Sequence, residues 1–160
     1  TWMAMGQAAG VAAHLAIKSD RQPRHVAIDR LQRLLLDDGQ VISYFSDIDA
    51  AHPAFKAGQY FGAKGFFADY GLRADEPVTQ AAAAARWFRI AFDDETIVAE
   101  ERAEDSQKLL DHTGLRSKLQ AIAKRVAKPL PEELLPNRGQ KPVMRGEFCR
   151  ILYTWLATLD

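Results

Sequence analysis

The sequence predicts a mainly α-helical protein, a small helical domain of about six or seven helices with little or no sheet. Two observations lead to this prediction. Apolar residues recur at the spacing of one helix face along most of the chain, and glycine or proline separates the periodic segments. With 160 residues, of which 48% are hydrophobic, the chain can bury one substantial core or two small ones.

The first two predicted helices form a hairpin. Alanine-rich sequence favours a helix over residues 5–18, which ends before the breaker Pro23. A second amphipathic helix is predicted at about residues 28–38, and Gly39 is placed to cap its C-terminus. Residues 41–45 alternate weakly, so they fit either a short strand or an extended connection.

Two more helices are predicted in the middle of the chain. Pro53 suits the first turn of a third helix that reaches about Lys64, and Gly65 is a natural C-terminal stop. After a loop, Thr79 can accept a hydrogen bond from the free amides of an alanine-rich fourth helix that ends at about Phe92. The expected core anchors of that helix are Trp87, Phe88 and Phe92.

Charge blocks precede the C-terminal helices. Acidic residues dominate residues 93–105 and basic residues dominate residues 108–128, which we interpret as two solvated helix faces that attract each other rather than as a ligand site. A core-facing stripe is predicted for Leu115, Leu119, Ile122 and Val126. An irregular connection is expected at Pro129, Pro131 and Pro136. The last helix, at about residues 144–159, places Phe148, Ile151, Leu152, Trp155 and Leu159 on one face.

Composition argues against several classes of function. The 21 basic and 21 acidic residues cancel, so no net field favours nucleic acid as a partner. No apolar stretch approaches the roughly 20 residues of a membrane span, so none is expected. The four histidines are too scattered for a local metal cluster, and Cys149 is expected to be a packed thiol without a role.

The chain opens with Thr1-Trp2-Met3, which contains neither an initiator methionine nor the pattern of a signal peptide. We therefore expect it to be a piece of a longer polypeptide.

Small residues cluster near this opening, in the run Gly6-Gln7-Ala8-Ala9-Gly10. Glycines one helical turn apart let another group approach the backbone more closely than a side chain would permit. If the run lies at a helix start, unpaired amides could also face an anionic ligand. The pattern is compatible with a cofactor contact or with tight packing against another element.

The opening residues resemble the C-terminal end of the FAD-dependent oxidoreductase family that includes proteins labelled xanthan lyases. The resemblance covers about residues 1–42, and the rest, residues 43–160, is then an appended helical domain. It rests on the run from Trp2 to Ala16, followed by Val26, Leu31, Gln32, Leu35 and Gly39. It implies that Gly6, Gln7, Ala8, Ala9 and Gly10 face a flavin held mainly by an N-terminal FAD-binding domain of the parent protein.

The chain lacks the dinucleotide fingerprint, since no Gly-x-Gly-x-x-Gly motif is present. We therefore expect FAD in the full-length parent and none in this chain alone, which is not a complete enzyme. No catalytic residue can be named. His14 lies one turn beyond Gly10, where a surface or packing role is the ordinary one.

A second resemblance covers residues 45–92, which are similar to a surface-layer homology module. It rests on Phe45-Ser46-Asp47-Ile48, His52-Pro53-Ala54, Ala57, Tyr60, Gly65, Tyr70, Asp75 and Pro77-Val78-Thr79. Such modules commonly bind cell-wall polysaccharide in bacterial envelope proteins, which would imply an envelope or secreted location. Residues 141–158 repeat part of the same pattern.

The charged positions of this module are incomplete. Gln80 and Ala82 stand where the family has arginine and glutamate, whereas the second copy retains Arg145 and Glu147. An arginine could pair with an acidic group on a glycan or with a neighbouring carboxylate. The alternative function is therefore a module that binds envelope polysaccharide or a partner protein, and a helical spacer without a ligand is a third possibility.

Overall fold

The computed structural model describes residues 2–80, 82–95, 97, 108–135 and 138–159, with side chains in α4 from residue 86 onward. Most of the predicted acidic block and Pro136 lie outside these ranges. The described helices are α1 (Trp2–Lys18), α2 (Ile28–Asp37), α3 (Phe55–Ala63), α4 (Ala82–Phe92), α5 (His112–Arg125) and α6 (Arg145–Ala157), with short 3₁₀ turns at Pro23–His25 and Glu132–Leu134. Within the described residues, β-structure is limited to isolated bridges, which confirms the mainly α prediction.

The chain divides into two compact units, Thr1–Tyr44 and Phe45–Asp160. In the first unit, α1 packs against α2 around a small core of Leu15, Ala16 and Val26. The helix α1 already includes Trp2, so the prediction that it begins at residue 5 was wrong. The residues before Gly6 include alanine and methionine, which are good helix formers, and they extend the helix.

Both predicted glycine stops are confirmed, and they share one geometry. Gly39 and Gly65 have φ of 80°, a left-handed conformation that favours glycine. After α3, the Gly65 amide donates to the Gly62 carbonyl at 3.0 Å and the Phe66 amide to the Phe61 carbonyl at 3.0 Å. The Phe61 and Phe66 rings stack 4.2 Å apart, the apolar contact that accompanies this kind of helix end.

The start of α3 differs from the prediction. Pro53 lies in the turn before α3, which begins at Phe55. Thr79 forms a β-bridge with Leu109, and the described part of α4 begins at Ala82. Asp111 also lies in a β-bridge and still caps α5, accepting a hydrogen bond from the Gly114 amide at 2.7 Å. The cap at Thr79 therefore stays a prediction.

Three short extended segments, residues 77–79, 109–111 and 142–144, meet in a closed ring. The Val78 amide donates to the Val143 carbonyl at 2.9 Å, Val143 to Leu110 at 2.8 Å, and Leu110 to Val78 at 2.7 Å. Each segment thus pairs with the other two, and each leads into a helix, α4, α5 or α6. The ring ties together three parts of the second unit that are far apart in sequence.

The same pattern continues at the next position of each segment. The Gln80 amide donates to the Lys108 carbonyl. In the same way, the His112 amide donates to the Lys141 carbonyl and the Arg145 amide donates to the Glu76 carbonyl. Gln80, His112 and Arg145 are therefore equivalent positions in three related strand–helix pieces.

The core of the second unit is aromatic and is shared among α3, α4 and α6. Trp87 and Phe88 each lie near Phe148, with ring centroids 5.4 and 5.2 Å apart. On α3, Tyr60 packs against Tyr153 of α6 at 5.3 Å. Most of the predicted helix faces are buried, including Leu115, Leu119, Ile122, Phe148, Ile151, Leu152 and Trp155.

Candidate functional site

The predicted cofactor-contacting run lies inside α1 rather than at its start. Because α1 includes Trp2, Gly6 to Gly10 occupy its second and third turns. Their amides are used by the hydrogen bonds of the helix itself. The suggestion that these amides stand unpaired at a helix start was wrong. The remaining feature of the run is that its glycines let another group come close to the helix backbone.

Gly6 and Gly10 lie on one face of α1, and that face points outward. A Cβ added at either glycine would meet no atom within 4 Å. Helical spacing places Ala13 and Ile17 on the same line, and both are exposed. The glycines therefore do not serve packing inside the first unit.

The other three predicted residues of the run divide between the two sides of α1. Gln7 and Ala9 are exposed, and Ala8 is half-buried. The structure thus brings Gly6, Gly10 and Ala9 together on the outward face and turns Ala8 away from it.

Large apolar side chains border this outward face. Trp2 is 84% exposed, Met3 is 90% exposed and Ile17 is 82% exposed. This face of α1 thus has small residues in its middle and large, exposed apolar residues at both ends. We call Trp2, Gly6, Gly10, Ala13 and Ile17 the α1 cradle.

His14 lies beside the α1 cradle and lines a groove between α1 and α2. The groove also contains Lys18, Arg30 and Asp38, so it mixes charges of both signs. Gly10 lines the same groove, so the groove adjoins one of the two glycines of the run.

Arg145, the arginine retained in the second module-like segment, is positioned by aromatic rings. Its guanidinium lies 5.6 Å from the centre of the Phe67 ring and 5.5 Å from that of Trp87. Its Nη1 is 3.5 Å from the Glu76 carboxylate, and its side chain is 15% exposed. Of the two partners considered for this arginine, a glycan acid or a neighbouring carboxylate, the structure shows the carboxylate of Glu76.

The loop that carries Phe67 is fixed by carboxylates. Asp47 accepts hydrogen bonds from the amides of Leu72 at 3.0 Å and Arg73 at 2.6 Å. At the tip of the loop, the Gly71 amide and the Arg73 guanidinium lower the pKa of the exposed Asp69. The fixed loop holds the Phe67 ring beside Arg145.

Glu147, the other retained charge, serves a buried network that sequence reasoning missed. The Nδ1 of His112 donates to the Lys141 carbonyl at 2.8 Å, and its Nε2 lies 3.1 Å from the Glu147 carboxylate. Arg138 approaches the same carboxylate at 3.3 Å. The histidine is buried, so the network joins α5 to α6 rather than forming an open site.

Cys149 is fully buried, and this burial raises the pKa of its thiol to about 12. The nearby Arg145 lowers the pKa by a smaller amount.

Among the described residues, no grouping of three His, Cys, Asp or Glu side chains could hold a metal ion. In the same part of the chain, no helix is long and apolar enough to cross a membrane.

Comparison with known protein families finds a match at the start of the chain. Residues 1–35 match the family described as FAD dependent oxidoreductase, and this stretch contains all of α1 and most of α2. Searches of curated proteins and of solved structures found no match.

Proposed function

We propose that residues 1–42 are the C-terminal helices of a FAD-dependent oxidoreductase and that residues 43–160 form a helical domain appended to it. One observation carries this proposal. The stretch that matches the oxidoreductase family contains Gly6 and Gly10, and these glycines are turned outward with open space beside them.

The α1 cradle fits a flat ring system better than it fits an anion. Since the amides of the run are already paired, α1 offers no extra donors there, and the absence of side chains at Gly6 and Gly10 lets a ring lie against the backbone. Gln7 is the one predicted residue with side-chain donors and an acceptor, and it is exposed beside this surface.

The partner of the α1 cradle is the N-terminal FAD-binding domain of the parent protein. Trp2, Met3 and Ile17 are large apolar side chains that remain exposed along α1, and exposed apolar surface of this kind suits an interface. The fraction of surface that a domain buries falls as the domain becomes smaller, so very small domains are only marginally stable alone. The small first unit, with its few buried side chains, therefore gains from docking against a larger domain.

In this arrangement the flavin supplies the redox chemistry when it is bound. The task of this chain is to close one side of the cofactor site, exclude water from it and fix the position of the ring. No residue of α1 is assigned a proton-transfer role.

The test is Gly10→Leu in the full-length parent. A leucine there would fill the space beside the helix, so we expect FAD affinity to fall by about tenfold or more, while the free energy of unfolding stays equal or rises by up to about 1 kcal/mol. FAD affinity would be measured by flavin fluorescence during titration.

The matched control is Ala121→Leu, which adds a leucine side chain at an exposed position of α5, in the second unit. Equal FAD affinity in wild type and in Gly10→Leu would mean that the glycines do not face the cofactor.

The second candidate function is binding of acidic envelope polysaccharide by the appended domain. It is favoured by Arg145, which is held between Phe67 and Trp87, and by the 69% exposed Tyr70 in the same loop. Aromatic rings beside a fixed arginine suit a sugar that carries a carboxylate. Against it, Glu76 already approaches the guanidinium.

A pull-down of the whole chain on purified cell-wall polymer tests this candidate. Arg145→Ala should abolish retention, whereas Arg116→Ala, which removes another half-buried guanidinium, should leave it unchanged. Retention that survives Arg145→Ala would rule out this site.

A further inference from the structure

A groove of about 250 Å³ in the first unit is not used by either proposed function. It lies between the end of α1, the turn Pro23–His25 and the start of α2. No residue of the α1 cradle lines it. Arg30 is shared with the groove that contains His14, but the carboxylate of that groove, Asp38, does not line this one.

The charged side chains that line this groove are all basic. Arg21 comes from the loop after α1, His25 from the 3₁₀ turn and Arg30 from the first turn of α2. Among the described residues, no aspartate or glutamate lines the groove. Asp20 and Asp29 precede the two arginines in sequence, and neither is paired with them in the described part of the chain. The groove therefore has a local positive field, although the net charge of the whole chain is zero.

The basic side chains of this groove have no partner in the part of the chain that the structure describes. None of the three makes a hydrogen bond, an ion pair or a cation–π contact with another described residue. Their neighbour Arg24 differs, because its Nε donates to the Gln22 side-chain oxygen at 2.7 Å. The donors of Arg21, His25 and Arg30 are therefore available to a ligand.

Backbone hydrogen bonds fix the places from which these side chains extend. At the end of α1, the Arg21 amide donates to the Ala16 carbonyl at 2.9 Å. In the 3₁₀ turn, the His25 amide donates to the Gln22 carbonyl at 2.8 Å, and Arg30 is part of α2. Binding a ligand therefore requires the ordering of side chains but no rearrangement of the backbone, which lowers its cost.

We infer that this groove binds a phosphate group. A phosphate has acceptor oxygens directed to different sides, which matches donors that come from three elements. The guanidinium groups of Arg21 and Arg30 each offer a fork of N–H groups, and the imidazole of His25 adds a further N–H. A carboxylate has two oxygens in one plane, so it would leave part of this donor set unused. The phosphate is either the free ion or one carried on a small organic molecule.

The experiment is a titration of the full chain with inorganic phosphate, followed by the amide chemical shifts of residues 19–30. We expect saturable shifts confined to these residues. Arg21→Gln and Arg30→Gln should each weaken binding by about tenfold or more, because charge-assisted hydrogen bonds are lost. The matched control is Arg24→Gln, which removes an exposed arginine of the same segment that does not line the groove. It should change the affinity by less than about twofold, because salt screens a charge that does not contact the ligand.

Glucose 6-phosphate and acetate complete the test. A glucose 6-phosphate affinity no higher than that of inorganic phosphate indicates a site for the ion, and tighter binding of the sugar phosphate indicates a carried group. Shifts that do not saturate, acetate binding as tight as phosphate binding, or unchanged phosphate affinity in either Arg21→Gln or Arg30→Gln would overturn the inference. Because both arginines are exposed, unchanged thermal unfolding is the check that these variants are folded. The titration contains no FAD, so its outcome is independent of the proposed function.

Discussion

Gly6 and Gly10 show how far a residue pattern can be interpreted. Two glycines a turn apart predict that something comes close to the backbone, but the same pattern serves packing and ligand contact equally well. Only the positions of neighbouring atoms separate the alternatives, and here a Cβ at either glycine meets nothing within 4 Å apart from its chain neighbours and the local helix backbone. Arg145 shows the complementary limit, since its partner Glu76 lies far from it in sequence.

Cys149 supports a prediction about reactivity. Burial raises the pKa of its thiol to about 12, so near neutral pH only on the order of one molecule in 10⁵ carries the reactive thiolate. We expect the folded chain to resist a thiol-specific reagent and the chain in denaturant to react fully. Stoichiometric labelling of the folded chain, measured by mass spectrometry, would contradict the buried position.

Helix ends were predicted from sequence better than helix starts. Gly39 and Gly65 were identified because a left-handed residue is required at the end of these helices, and that requirement is local. The starts of α1 and α3 depend on residues outside the predicted segments. Good helix formers extend α1 to Trp2, and the turn that contains Pro53 delays the start of α3 to Phe55.

The helix end at Gly65 gives a prediction about stability. Gly65→Ala should lower the free energy of unfolding by about 1 kcal/mol, because alanine is strained at a φ of 80° although space is available for its methyl group. Gly65→Asn should cost less, since asparagine tolerates this conformation. Chemical denaturation of both variants makes the comparison, and equal losses would show that backbone conformation is not the cause.

The second unit has an internal symmetry that the sequence revealed only in part. Residues 77–79 and 142–144 both contain Pro-Val, so their similarity could be recognised. The third segment, residues 109–111, is Leu-Leu-Asp and shares neither residue type. Its place in the ring is defined by backbone hydrogen bonds, which any non-proline residue can make, so no side-chain pattern marks it.

This shared construction leads to a prediction about which part of the chain folds. The helix signals and aromatic spacing of residues 45–92 predict a compact helical unit with Phe55, Tyr60, Trp87 and Phe88 buried. In the structure Tyr60, Trp87 and Phe88 are buried and Phe55 is half-buried, but the main aromatic contacts of α3 and α4 include α6. The ring also needs Leu110 and Val143 as partners of Val78.

A fragment of residues 45–92 should therefore lack a cooperative unfolding transition, whereas residues 45–160 should show one. Without α6, Trp87 and Phe88 lose their contact with Phe148, and Tyr60 loses Tyr153. Exposing several large aromatic side chains costs about 1.5–3 kcal/mol each, which is comparable to the whole stability of a domain this small. Urea denaturation followed by tryptophan fluorescence measures this, because Trp87 is present in both fragments. A sigmoidal transition in the short fragment would mean that the first module-like segment closes its own core.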